Sequence, residues 1–255
     1  MLNRAWLIHL VAAIVVIAGF VTPTLAEDFT PEQRKKIEAI VQDYIMNNPA
    51  LVRDALTKLE RQREEAEVAQ RAKVITDQAS VLFNSTRQAE VGNPDGDVVI
   101  VEFFDYNCGY CRRALNDLVK LLDTDKKLRV VLKEFPVLGQ KSVEAAQVSI
   151  AVQMQAPDKY MEFHTRMLTA KGQSDKNKAL RVAEEMGLDM NRLAKDMASP
   201  EVSKTIEEVY TLANGLGLTG TPSYVVGDEA VFGAVGFAQL QKKISDFRNC
   251  GSTTC

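Results

Sequence analysis

Val98–Val99–Ile100–Val101–Glu102–Phe103–Phe104–Asp105–Tyr106–Asn107–Cys108–Gly109–Tyr110–Cys111 is the stretch that decides the fold. Its run of β-branched and aromatic residues predicts a buried strand, and it ends in a C-x-x-C. A helical pattern follows at once through Arg113, Leu115, Leu118, Val119, Leu121 and Leu122. Two thiols at the point where a strand hands over to a helix N-terminus are placed for reversible disulfide chemistry. The placement says more than the motif, because C-x-x-C also occurs in zinc knuckles and haem attachment sites.

Working outward, Leu128–Arg129–Val130–Val131–Leu132–Lys133–Glu134–Phe135 predicts a second strand, apolar on both faces as a central strand is. Between Ser142 and Gly217 the pattern is helical, with segments at 143–155, 160–168, 178–186 and 200–212. Two short strands follow, in Thr221–Pro222–Ser223–Tyr224–Val225–Val226–Gly227 and from Ala230 to Gly233, and a last helix runs from Phe237 to Phe247. Strand–helix–strand, helical insertion, strand–strand–helix is an α/β plan. The expected organisation is one domain over 83–249, with its insertion at about 140–217, and a tail at 250–255.

The segment before it, 27–82, reads as almost wholly helical. Thr30–Pro31–Glu32–Gln33 is a helix start, with a capping threonine, proline at the first helical position and Gln three residues after the cap. Asn47–Asn48–Pro49 breaks that helix and starts another. The two carry apolar stripes, Ile37, Ile40, Val41, Tyr44 and Ile45, then Val52, Ala55, Leu56 and Leu59. Helices this polar overall do not stand alone. They form a solvated arm, or they pack against copies of themselves through the Ile/Leu stripe.

The first residues predict a signal peptide: Arg4, an apolar run from Ala5 to Phe20, and Thr24–Leu25–Ala26 with cleavage after Ala26. The mature protein is therefore expected in an exported compartment. The whole chain carries a formal charge of −3, and loss of Arg4 makes it one unit more negative, which gives no support to nucleic-acid binding. Only His164 would remain of two histidines, so no multi-histidine metal site can form. No metal and no cofactor is expected. Arg112 after Cys111 removes the haem signature.

The site chemistry follows from the residue types. The thiolate is the nucleophile in disulfide exchange, so the leading cysteine needs a depressed pKa. At a helix start the unpaired N–H groups and the macrodipole stabilise a negative sulfur at Cys108. Cys111, one turn deeper, can attack a mixed disulfide and release the substrate. Gly109 and Tyr110 are uncharged, which leaves the helix terminus as the expected main stabiliser, and Arg112 and Arg113 read as a solvated helix face. Glu102 interrupts an apolar strand, where burial raises a carboxyl pKa. It either exchanges the proton of Cys111 or, as an acid at the strand end, reaches solvent or pairs with Lys133. Pro222 opens an apolar run, and a cis bond after Thr221 would turn the backbone toward an extended substrate. His164, among Tyr160, Met161, Phe163 and Met167, reads as structural. Cys250 and Cys255 most simply close the tail as a disulfide, with a relay to Cys108 as the alternative.

Glu102–Phe103–Phe104–Asp105–Tyr106–Asn107–Cys108–Gly109–Tyr110–Cys111, with Gly220–Thr221–Pro222–Ser223–Tyr224 downstream, resembles the DsbA-type thioredoxin-fold family of periplasmic thiol–disulfide oxidoreductases. The helical segment before it is similar to that of the Com1 and ScsC-like branch, in which it can support oligomerisation. The resemblance implies a thioredoxin fold with a helical insertion, preceded by an all-helical arm. It implies Cys108 as nucleophile, Cys111 as resolving thiol, Glu102 as the buried acid, and Thr221 with a cis Pro222 as the substrate-binding element. It also implies cysteine-containing exported proteins and a membrane redox partner as partners. The typical oxidase of the family has Pro-His between its cysteines and valine before the cis-proline. Gly109–Tyr110 with Thr221 resembles the isomerase DsbC instead. An oxidase, an oligomeric isomerase or reductase, an envelope binding protein on the same scaffold, and copper handling through the two thiols therefore stand side by side.

Overall fold

The structure, a computed structural model, describes residues 29–255; the expected signal segment lies outside them. The chain divides into two units at Arg61/Gln62. In the first, α1 (Pro31–Asn47) opens with a capping box. Thr30 Oγ1 accepts from the Gln33 N–H at 3.2 Å, and Gln33 Oε1 accepts from the Thr30 N–H at 2.9 Å. After Asn48, α2 (Pro49–Asp77) begins. No residue of α1 is buried, and Ile40, Tyr44 and Leu56 stand exposed within this unit.

The second unit starts inside α2 and continues through α3 (Ala79–Asn84), β1 (Ala89–Gly92), β2 (Val98–Phe104), α4 (Gly109–Thr124) and β3 (Leu128–Glu134). Then come α5 (Gln140–Gln155), α6 (Tyr160–Thr169), α7 (Lys176–Glu185), α8 (Met190–Met197) and α9 (Pro200–Gly215). β4 (Ser223–Val226), β5 (Glu229–Phe232) and α10 (Phe237–Cys250) complete it. The sheet has the order β1-β3-β2-β4-β5. β2 and β3 are parallel, and the other pairs are antiparallel. This is the expected α/β thioredoxin plan with a helical insertion. β1 has no sequence signature, because four residues ending in glycine are too few to show a period.

Alternation along the strands sorts the core into two faces. Ile100, Phe104, Val130, Leu132, Tyr224 and Val226 pack with α4, α10 and the insertion. Val101, Phe103, Val131 and Val225 pack with Ile75, Leu82, Val209 and Leu212. The end of α2 and α3 therefore belong with the sheet, whereas the sequence reading grouped them with the N-terminal helices. Nothing local separates Ile75 and Leu82 from the helices before them; their burial depends on the sheet face they cover.

The register also places the charged strand residues. Glu102 is paired with Leu132, and Lys133 with Phe103, so the acid and the lysine point to opposite faces and do not meet. Lys133 is fully buried and donates to the Val81 carbonyl at 3.1 Å, with Glu208 at 3.8 Å. The tail disulfide Cys250–Cys255 forms, and Thr253 bonds Asp228 and Glu229 in the β4–β5 hairpin. That turn lies at the end of the sheet away from Cys108, because β4 begins beside Phe103 and ends beside Ile100. The tail is thus anchored at the other end of the sheet from Cys108. Leu82→Ala, which empties a fully buried site on the sheet, is expected to cost about 3 kcal/mol in urea unfolding.

Candidate active site

β2 ends at Phe104, and Asp105 to Asn107 turn the chain into α4, whose N-cap is Cys108 with extended backbone (φ −77, ψ 118). Asp105 builds the turn: its Oδ1 accepts from the Asn107 N–H at 2.7 Å, an Asx-type bond. Its Oδ2 accepts from the Leu138 N–H at 3.0 Å. Cys108 and Cys111 are both unpaired thiols here. Cys111 is fully buried, and Cys108 is 7 % exposed. Tyr110 between them is 58 % exposed, with the Arg113 guanidinium 4.3 Å from its ring centroid.

The Cys108 thiol is lowered to about 5. The largest cause is the hydrogen bond from the Cys111 thiol; burial opposes it, and the Thr221 side chain and the N–H groups of Cys111 and Tyr110 add to it. The Thr221 carbonyl, 3.1 Å from Cys108 Sγ, accepts from the thiol form. The helix terminus is thus a contributor, and the neighbouring thiol is first, because it meets the sulfur at hydrogen-bond range in a nearly dry site. Cys111 is driven the opposite way, upward, by burial, by the bond to Cys108 and by the charge of Glu102. One thiol of the pair is kept ionised and the other protonated.

Glu102 is 3 % exposed on the α4 face of β2. Burial, with a smaller contribution from the charge of Asp117, pushes it up to about 8. It borders a cavity of about 10 Å³ with Ile100, Leu118, Leu121, Val130, Tyr224 and Leu240, about the space of one water. Beneath Cys111, such an acid can hold or give a proton at neutral pH.

Across from Cys108, the Thr221–Pro222 peptide is cis. The loop is pinned by Gly233 N–H to the Pro222 carbonyl at 2.9 Å and by Ser223 Oγ to the Gly220 carbonyl at 2.8 Å. An open groove of about 270 Å³ runs past Tyr110, Gly220, Thr221, Pro222 and Phe232. The structure therefore brings Cys108, Cys111, Glu102, Thr221 and Pro222 into one locus.

His164 lies outside that locus. It is buried edge-on to Phe104 at 4.6 Å and stacked on Tyr160 at 6.1 Å, and burial lowers it to about 3, so it is neutral. Sequence reading passed over Glu134, which burial also raises to about 8 and which accepts from Tyr160 Oη at 3.0 Å. It also gave Arg112 to solvent. Arg112 instead donates to the carbonyls of Ala170 and Gly172 at 3.2 and 2.9 Å. The Asp105-x-Asn107 spacing is a readable signal for the turn before Cys108; nothing local announces the roles of Glu134 and Arg112. No helix among the described residues is long and apolar enough to cross a membrane.

Two measurements follow from these ionisations. Iodoacetamide should label reduced protein at Cys108 with a half-maximal rate near pH 5 and leave Cys111 unlabelled at pH 7, read by peptide mass. In the oxidised form the thiols do not titrate, and Glu102 then dominates this face with Glu134. Its folded pKa lies above the ordinary 4.5, so its stability contribution is full below about 4.5 and is lost as pH rises toward 8. Glu102→Gln should flatten that loss and stabilise the oxidised protein at pH 8.5 by about 3 kcal/mol in urea unfolding.

Residues 99–245 match the DSBA-like thioredoxin domain family, and residues 33–66 match the copper resistance protein ScsC N-terminal domain. A crystal structure of a thioredoxin-like oxidoreductase from Silicibacter pomeroyi DSS-3 is 43% identical, with TM-score 0.64, over 67% of this chain and 98% of that one. A linker-deletion mutant of Proteus mirabilis ScsC is 26% identical, with TM-score 0.66, over 87% of this chain and 97% of that one. The probable disulfide bond formation protein D of Bacillus anthracis is 26% identical, over 60% of this chain and 76% of that protein. Na(+)/H(+) antiporter NhaA 1 of Salinispora arenicola is 25% identical over 60% of this chain, which spans only 24% of that protein's length. With more than half of its residues matched, in the fold and around the paired thiols described above, the chain belongs to the DSBA-like thioredoxin domain family.

Proposed function

We propose that this chain is a thiol–disulfide oxidoreductase that exchanges disulfides with cysteines of exported proteins. The observation that carries the reading is the asymmetry of the pair, Cys108 lowered to about 5 and Cys111 raised beside it, with the Thr221 carbonyl 3.1 Å from Cys108 Sγ at the edge of an open groove. In the oxidising direction a substrate thiolate attacks Sγ of Cys108 in the Cys108–Cys111 disulfide. The S–S bond breaks, Cys111 leaves and takes a proton from Glu102. A second substrate thiolate then attacks the substrate sulfur of the mixed disulfide, and Cys108 leaves as a thiolate. Two electrons pass from the substrate dithiol to the C-x-x-C, and a membrane redox partner reoxidises it. Thr221 and Pro222 hold the substrate backbone by strand-like pairing.

The low pKa of Cys108 favours the oxidising direction. At pH 7 a thiol at about 5 stabilises the reduced form about 100-fold, which raises the potential by about 60 mV over an unperturbed dithiol. The N-terminal Arg4 to Ala26 pattern supports export to the periplasm.

A second reading, an oligomeric isomerase, is favoured by the exposed apolar residues of α1 and α2, from Ile37 to Leu59, within the segment that matches the ScsC N-terminal domain.

Glutathione equilibration and refolding of a scrambled substrate test these readings together. An oxidising potential without reshuffling supports the oxidase, and reshuffling by an oligomer supports the isomerase. No exchange by the unmodified protein would leave only a binding scaffold. Cys108→Ser should abolish exchange, Cys111→Ser should accumulate mixed disulfides on gels, and Glu102→Gln should slow the Cys111 step by about 100-fold in stopped flow.

A further inference from the structure

The residues on either side of the C-x-x-C share one partner. Asn107, just before Cys108, and Arg112, just after Cys111, both hold the segment 170–175 between α6 and α7. Asn107 Nδ2 donates to the Ser174 carbonyl at 2.8 Å, and its Oδ1 accepts from the Ser174 N–H at 2.7 Å. The same Nδ2 donates to Ser142 Oγ at 2.9 Å, and Ser142 Oγ donates to Asp105 at 2.8 Å. Arg112 reaches the Ala170 and Gly172 carbonyls through its two terminal nitrogens. Lys178 donates to the Lys171 carbonyl at 2.7 Å, and Lys141 to Gln173 Oε1 at 2.8 Å. An irregular segment must satisfy its backbone groups somewhere. Here side chains do so, and the two nearest the sulfurs bracket the active turn.

We infer that Asn107 and Arg112 are positioning residues that strap the C-x-x-C turn to segment 170–175 of the helical insertion. The inference rests on the oxidoreductase reading for its purpose, though not for its geometry. Among the groups that hold Cys108 ionised are the Cys111 thiol and the N–H groups of Cys111 and Tyr110. All of these lie on the turn between the two strapped residues. Hydrogen bonds at that range weaken steeply with misalignment, so a turn free to rock presents them poorly. Neither Asn107 nor Arg112 touches the sulfur. Arg112 acts through its fork of donors, a geometry that lysine cannot reproduce.

The test is the ultraviolet titration of the Cys108 thiolate in the full-length reduced protein, which needs no substrate. Failure of the oxidoreductase reading would leave this readout intact. Asn107→Ala should raise the apparent pKa of Cys108 by about one unit, a fall of about fivefold in thiolate at pH 5. Arg112→Lys keeps the charge and should shift the titration in the same direction as Arg112→Ala. Ser174→Ala is the control. Its hydroxyl is buried without a hydrogen-bond partner and its bonds to Asn107 are made by backbone, so the Cys108 titration should not move. Unchanged titration in Asn107→Ala and Arg112→Lys, with only a lowered melting temperature, would overturn the inference. A shift in Arg112→Ala but not in Arg112→Lys would assign Arg112 to charge and overturn its part. Should Asn107→Ala fail to fold, the Arg112 pair decides.

Discussion

The structure depends on how one sulfur is surrounded. Burial by itself would keep Cys108 as a thiol, because a charge in a nearly dry site is costly. Hydrogen-bond donors reverse that balance: the Cys111 thiol first, then the Thr221 side chain and two N–H groups at the start of α4. None of these works unless it is held within bonding range. β2 fixes where α4 begins, and β4, paired with β2, brings Thr221 opposite. Burial, and then the same bond between the two sulfurs, keeps Cys111 protonated. The pair is therefore differentiated by position, since the two side chains are chemically identical.

The sheet face beneath α4 carries two buried acids with different surroundings. Glu134 accepts from Tyr160, which is bonded in turn to Ser149, and Ser149 to Tyr106. That chain joins β3 and the end of β2 to the helical insertion, and buried networks of this kind rigidify what they connect. Glu102 faces a cavity of about one water and lies under Cys111. Both are raised by burial, yet one is tied into packing and the other is left available for a proton. The insertion is thus more than a lid: through His164, Tyr160 and segment 170–175 it backs the strand and the turn that present the sulfurs.

The proposed direction of exchange has the same origin. A stabilised thiolate is a stabilised reduced form, so the disulfide becomes the better oxidant. The uncharged Gly109–Tyr110 dipeptide does not prevent this, because the donors that matter are the second thiol, the turn backbone and Thr221. The exposed apolar stripe on α1 and α2 bears only on the proposed isomerase reading.

Much of this was legible in the chain order. A β-branched run ending in C-x-x-C, a helical pattern after it, and a proline opening a late strand are local signals, and they placed β2, α4, β4, the insertion and all five candidate residues. A polar capping box and a helix break were equally local. What required the tertiary structure involves burial and, for most groups, partners distant in sequence. Parallel register sent Glu102 and Lys133 to opposite faces. Ile75 and Leu82 became core because a sheet face lay over them. Arg112 left the solvent for carbonyls in the insertion, and the Cys111 thiol outranked the helix terminus at Cys108. Sequence determined which groups are present and their local spacing; only the fold decided their distances through a low-dielectric interior, and those distances set the ionisation of each group.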